Sequence, residues 1–196
     1  MKTIIWDVDD VLNDLMREWF EREWLPTHPD CRLTYGELKE NPPEAILGID
    51  RAEYIQSLDA FRCAGFARLR PVPEALSWFE KSGFQYRHLA LSSTPLKTAH
   101  LSASWSFQHF GSWIRSFNIV PSARDGDGQT PVYDQTKKDF LLGFQHADIL
   151  IVDDSEANIL GARELGIPGL LMPRPRNQSR KTIQQAFEHM DDLLQG

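Results

Sequence analysis

Short, almost wholly apolar runs that stop abruptly at acidic or hydroxyl side chains constrain this chain more than any other feature. Ile4-Ile5-Trp6 runs into Asp7-Val8-Asp9-Asp10, Leu89-Ala90-Leu91 into Ser92-Ser93-Thr94-Pro95, and Ile149-Leu150-Ile151-Val152 into Asp153-Asp154-Ser155. Such runs read as strands buried on both faces, the pattern of a parallel sheet covered by helices. A fourth cluster, Gln135-Thr136-Lys137-Lys138, stands at a predicted helix start. In an open parallel sheet the strands' carboxyl ends face one crevice, so residues remote in sequence meet there.

The pattern predicts strands over Thr3 to Val8, Tyr86 to Leu91, Phe117 to Val120, Asp148 to Val152 and Gly169 to Met172. Helices fall between them: Pro73 opens one that stops at Gly83, Pro95 opens another ending near Gly111, and Ser155 starts one closed by Gly166 before Pro168. Ile183, Ala186, Phe187, Met190 and Leu194 repeat at helical spacing and predict a last helix with one packed face. This alternation predicts an α/β fold, Rossmann-like, with about five parallel strands and helices on both faces.

Residues 13–70 break the alternation, because they carry helical signals and no strand. They are expected to form a small helical cap inserted after the first strand, with residues 1–12 and 71–196 forming the core domain. Leu12, Leu15, Met16, Trp19, Phe20 and Trp24 fall at helical spacing, Thr34-x-x-Glu37 matches a capping box, and Asp50-x-x-Glu53 marks another helix start. Trp19 and Trp24 are expected to fill a core rather than touch a ligand.

With 196 residues, 41% hydrophobic and 25% charged, the chain needs no staple to bury a core, and no run approaches the roughly 18 apolar residues of a membrane span. A net charge of -7 argues against binding a nucleic-acid polymer, while leaving room for a local basic pocket. Only Cys31 and Cys63 are present, and the apolar start is too short for a signal peptide, so a reducing cytoplasm is expected. The six histidines show no ligand spacing and are expected at the surface or half-buried. Arg68, Arg70, Arg174 and Arg176 are candidate substrate contacts, but solvation at the surface is the favoured expectation for each. The stretch from Pro121 to Thr136 reads as a mobile loop, with Asp125-x-Asp127 only superficially like a calcium loop. Oligomeric state is left open.

The clusters together read as a site that transfers phosphate. Asp7 is the candidate nucleophile, since a carboxylate beside a divalent cation can attack phosphorus and split hydrolysis into two easier steps. Asp9, two residues on, can protonate the departing alkoxide and then deprotonate water. Asp153 and Asp154 repel one another unless a hard cation such as Mg²⁺ relieves them, with Asp154 the nearer ligand. Ser92, Ser93 and Thr94 precede a helix start, where hydroxyls and free amides hold phosphoryl oxygens. Lys137 or Lys138 sits where the helix dipole disfavours a cation, which binding phosphate would explain.

These residues resemble the four motifs of the haloacid dehalogenase superfamily of phosphohydrolases: Asp7-Val8-Asp9-Asp10-Val11, the Ser/Thr cluster ending a second strand, a helix-opening lysine, and Asp153-Asp154. The resemblance spans almost the whole chain. It implies Asp7 as nucleophile and Mg²⁺ ligand, and Asp9 as general acid/base that lends its backbone carbonyl to the metal. It further implies Ser93, with Ser92 as the alternative, and Thr94 as phosphate binders, Lys137 or its neighbour Lys138 as the lysine, and Asp154 with Asp153 on the metal. Asn158 stands where some members carry another acid, and Asp10 where many carry Gly. The opening and Ser93-Thr94-Pro95 are also distantly similar to the deoxyribonucleotidase branch, without naming a substrate.

The expected activity is a Mg²⁺-dependent phosphomonoesterase acting on a small phosphorylated metabolite through an aspartyl-phosphate. A phosphotransferase such as a sugar-phosphate mutase uses the same machinery. Dehalogenation needs neither Asp9 as an acid nor the second carboxylate pair, and a receiver-type signalling domain would carry its acceptor Asp in mid-chain. A non-catalytic binding protein on this fold would have lost some of the four clusters, and none is broken.

Overall fold

The computed structural model describes residues 1–122, 132–144, 148–177 and 179–195. Five strands, β1 (Thr3–Trp6), β2 (Arg87–Ser92), β3 (Ile114–Ile119), β4 (Ile149–Asp153) and β5 (Gly169–Leu171), pair in parallel in the order β3-β2-β1-β4-β5. β3 starts at Ile114, ahead of the apolar stretch that predicts it. It lies at the sheet edge, where Ile114 is buried and Arg115 exposed, so half its side chains are polar.

From the end of β1 the chain enters helices α1 (Leu15–Trp19), α2 (Leu25–Thr27), α3 (Glu44–Leu47) and α4 (Arg51–Gly65), with a π-helical turn over Phe20–Trp24 joining the first two. Both expected caps are present: Thr34 and Glu37 close a capping box, and the Asp50 carboxylate accepts the Glu53 N–H at 2.8 Å. The outgoing and returning segments run side by side, with Asn13 bridged to Pro71 and the Val72 N–H donating to the Leu12 carbonyl at 2.8 Å.

The remaining helices are α5 (Pro73–Ser82), α6 (Leu96–Phe110), α7 (Lys137–Leu142), α8 (Glu156–Glu164) and α9 (Ile183–Gln195). Strand alternation divides them between two layers. Ile4 and Trp6 face one cluster with Trp78 and Phe79 of α5, Phe110 of α6 and Phe187 of α9, whereas Ile5 faces the other with Leu141 of α7 and Ile159 of α8. The first cluster continues without interruption into Leu15, Trp19, Phe20, Trp24 and Tyr54, so the tryptophans of the inserted helices fill a core as expected.

His88 departs from expectation. It is buried on β2, its Nδ1 accepting the Trp6 indole N–H at 3.0 Å while Nε2 donates to the Gly83 carbonyl at 2.7 Å. Two hydrogen bonds offset the loss of water, which ring spacing along the sequence does not reveal. Among the described residues no helix is long and apolar enough to cross a membrane. Residues 123–131 of the predicted loop, including Asp125 and Asp127, lie outside the described residues.

Candidate active site

The strand order fixes where the crevice lies. From β1 the chain builds β2 and β3 on one side and β4 and β5 on the other, so the carboxyl ends of β1 and β4 meet at the point where the order reverses. Trp6 pairs with Val152 in register and the Asp7 N–H donates to the Val152 carbonyl at 2.9 Å, which sets Asp7 level with Asp153.

After β1 the backbone turns sharply, the Val8 carbonyl accepting from the N–H groups of Leu12 at 3.0 Å and Asn13 at 3.2 Å. Asp10 takes the left-handed conformation here, with φ 61°. That backbone geometry favours glycine, and Asp is among the few residues that tolerate it. Its carboxylate accepts the Met16 N–H at 2.9 Å, and Arg176 at 2.7 Å. The turn lets Asp7 and Asp9 line the same cleft.

Lys137 joins the two halves of the site. It opens α7 behind a Thr136–Asp139 capping box, is 3% exposed, and places Nζ 2.8 Å from Asp7 Oδ1 and 2.7 Å from Asp153 Oδ2. Asp7 Oδ1 also accepts the Val8 N–H at 2.8 Å, leaving Oδ2 without a hydrogen bond among the described residues. Asp153 is fully buried, and both its oxygens are engaged: the Asn158 amide donates to each at 3.1 Å, and the Ser155 N–H to Oδ1 at 2.9 Å. Asn158, at a position where an acid was also conceivable, thus orients Asp153.

Asp7, Asp153 and Asp154 each offer a carboxylate oxygen within 4.8 Å of the others. Burial pushes the Asp7 carboxyl well above the usual range, opposed by Lys137 and reinforced by Asp153 and Asp154. Asp154 is raised to about 6, by burial first, with Arg176 opposing and Asp153 adding to the rise. On Lys137 burial acts downward, but Asp153 and Asp7 outweigh it and the ammonium is held above its ordinary value. With all five acids ionised, Asp7, Asp9, Asp10, Asp153 and Asp154 would face three cations, Lys137, Arg62 and Arg176, an excess of two negative charges. Hard oxygen donors with that excess suit one divalent cation of the Mg²⁺ kind.

The cleft holds about 360 Å³ and is walled on one side by Leu15, Met16, Tyr54 and Leu58 from the inserted helices. No protein-family model matches the sequence, and a comparison with curated proteins finds no match. Solved structures do resemble it. A haloacid dehalogenase-like hydrolase from Streptococcus pneumoniae superposes with a TM-score of 0.65 at 13% identity, over 98% of each chain. This is a haloacid dehalogenase-like fold. A Thermotoga maritima protein provisionally named a β-phosphoglucomutase shares it at a TM-score of 0.60 and 15% identity, over 98% of this chain and 100% of that one. So does a provisionally named Bacillus subtilis hydrolase of this type solved with bound magnesium, at 0.56 and 18%, over 98% of each.

Within the haloacid dehalogenase-like frame the sequence-predicted residues converge. Ser93 is exposed in the cleft with no hydrogen-bond partner among the described residues, whereas Ser92 is buried and its Oγ accepts the Thr94 N–H at 3.2 Å. The Thr94 hydroxyl is buried against Arg62 and Thr98. Lys137 turns inward to Asp7 and Asp153, while Lys138 turns outward and pairs with Glu164.

One arginine escapes the sequence reading, and two others depart from its favoured surface placement. Arg174 and Arg176 both leave the surface: Arg174 is buried behind the turn, 2.8 Å from Asp14 with its Nε donating to the Asp10 carbonyl, while Arg176 lines the cleft and pairs with Asp10 and Asp154. Their position after β5, at the same carboxyl edge as the other clusters, was the available signal. Arg62 of α4, 6% exposed, donates through one nitrogen to Asp9 and Thr94, each at 2.7 Å. It continues the Tyr54-Leu58 stripe at four-residue spacing, and a charge on an apolar stripe is the mark that could have found it.

Proposed function

We propose that this chain is a Mg²⁺-dependent phosphomonoesterase that acts on a small phosphorylated metabolite through an aspartyl-phosphate at Asp7. The observation that carries this reading is the buried Lys137, hydrogen-bonded to both Asp7 and Asp153, with Asp9 lining the same cleft. Asp7 attacks phosphorus, the bond from phosphorus to the ester oxygen breaks, and the Asp9 proton passes to the departing alkoxide. Asp9, now a carboxylate, takes a proton from water as the water oxygen attacks phosphorus. The bond from phosphorus to Asp7 then breaks, freeing inorganic phosphate and restoring both residues.

Lys137 offsets charge on Asp7 and the phosphoryl group, and Ser93 with Thr94 flanks the phosphoryl oxygens. Asp7, the Asp9 backbone carbonyl and Asp154, with Asp153 behind, would hold Mg²⁺, which would supply positive charge where the phosphoryl group gains negative charge. The division into a core of residues 1–12 and 71–196 and a cap of residues 13–70 belongs to this reading, with the cap wall excluding water and choosing substrates. A cleft of about 360 Å³ suits a small molecule rather than a nucleic-acid polymer or a membrane. The two free cysteines are in keeping with a reducing cytoplasm.

A mutase uses the same first step, and the β-phosphoglucomutase-named neighbour favours keeping it as the second reading. Purified protein is to be tested against phosphorylated sugars, nucleotides and acids carrying labelled phosphate. Release of labelled inorganic phosphate supports hydrolysis, transfer to an acceptor supports the mutase, and neither across the panel removes both.

A further inference from the structure

Arg62 is costly to bury, and nothing in the inserted helices accounts for it. A guanidinium taken out of water needs partners, and among the described residues its hydrogen-bond partners, Asp9 and Thr94, belong to the crevice at the strand ends. Among the described residues its buried Nε has no partner, a loss that a purely structural ion pair would avoid. Asp59, three residues earlier on α4, lies 2.8 Å from Lys97 of α6 and anchors the helix so that Arg62 reaches this point. The Asp9 carboxylate is thereby held at both oxygens, Oδ2 by Arg62 at 2.7 Å and Oδ1 by the Asn13 amide at 3.3 Å. Each oxygen keeps a second lone pair for proton exchange.

We infer that Arg62 is a positioning residue for the acid/base Asp9: supplied by the inserted helices, it fixes the carboxylate in the plane from which a proton reaches the leaving group. The inference rests on the phosphatase reading above and adds a link between the cap and the proton-transfer step. A clamp on substrate phosphate would make a different demand on Arg62. It would favour all substrates alike, whereas aiming Asp9 matters in proportion to the leaving group's need for a proton.

The test is a series of substituted phenyl phosphates, from 4-nitrophenyl to unsubstituted phenyl, turned over by wild type, Arg62→Met and Arg62→Lys, with melting temperatures and Mg²⁺ affinity measured alongside. For Arg62→Met the expected loss in kcat is about 10-fold with the nitrophenyl ester and on the order of 10²- to 10³-fold with the phenyl ester, as removal of general-acid help predicts. KM and Mg²⁺ affinity are expected to change little. Arg62→Lys, which keeps the charge and hence the fold if Met does not, should show the same trend at smaller amplitude. An equal loss across the series, or a loss seen only in KM, overturns the inference while leaving the phosphatase reading intact. A wild type that turns over none of the esters sinks both.

Discussion

Lys137 Nζ stands 2.8 Å from Asp7 Oδ1, so a helix-opening lysine and a strand-ending aspartate far apart in the chain form one ion pair. Its second contact, with Asp153 at 2.7 Å, makes the lysine the shared counter-charge of two acidic clusters. Without it two buried carboxylates face each other. Lys137→Met is therefore expected to destabilise the metal-free protein by about 3–5 kcal/mol, the usual consequence of leaving a buried charge without its partner. Activity should fall on the order of 10²- to 10³-fold. Denaturant unfolding with and without Mg²⁺ checks the first part; unchanged stability in the metal-free protein would remove the lysine from its assigned role.

Asp7→Asn replaces the nucleophile by an isostere that cannot attack phosphorus. Hydrolysis of an aryl phosphate should disappear, while the melting temperature holds within a few degrees, because the substitution also relieves repulsion from Asp153 and Asp154. Chelation of Mg²⁺ should abolish turnover reversibly. Robust hydrolysis in either experiment contradicts the mechanism.

Cation binding should depend on pH through Asp154, whose carboxyl is raised to about 6 by burial. A raised acid binds its proton more tightly folded than unfolded, so this group stabilises the metal-free protein fully below about pH 4, where the unfolded chain protonates too. That contribution is lost as pH rises through about 6. The cation needs the carboxylate, so Mg²⁺ affinity should weaken below that pH, roughly tenfold per unit for one displaced proton. Calorimetric titration from pH 7.5 to 5 measures it, and a flat profile excludes Asp154 as a ligand.

His88 gives the opposite slope. Burial holds its imidazole below the ordinary value of about 6.5, with the Gly83 hydrogen bond acting the other way, and Nδ1 must stay unprotonated to accept from Trp6. The unfolded chain therefore takes up a proton first as pH falls. The stability contributed by this group is complete above about 6.5 and declines as pH drops toward the folded value. NMR of the ring should show the neutral Nε2–H tautomer persisting at pH 6, and a midpoint at the ordinary value would refute it.

Much of this molecule was legible from pattern alone, since apolar runs, caps and breakers act over a few residues. The five strands, the capping box at Thr34 and the helix starts at Asp50 and Lys137 depend on neighbours that the sequence already places together. The convergence of Asp7 and Asp153 followed as soon as parallel strands were read, because their carboxyl ends share an edge. Tertiary structure alone decided which of two adjacent lysines faces that edge, sending Lys137 inward and Lys138 to Glu164. It also decided that Arg176 returns to the cleft, that Arg174 is buried against Asp14 and that Arg62 spans from α4 to Asp9. Long flexible side chains carry no local periodicity of their own. Where their charges end depends on which backbone lies within a few ångströms, and that is set only when sheet, helices and inserted segment are packed together.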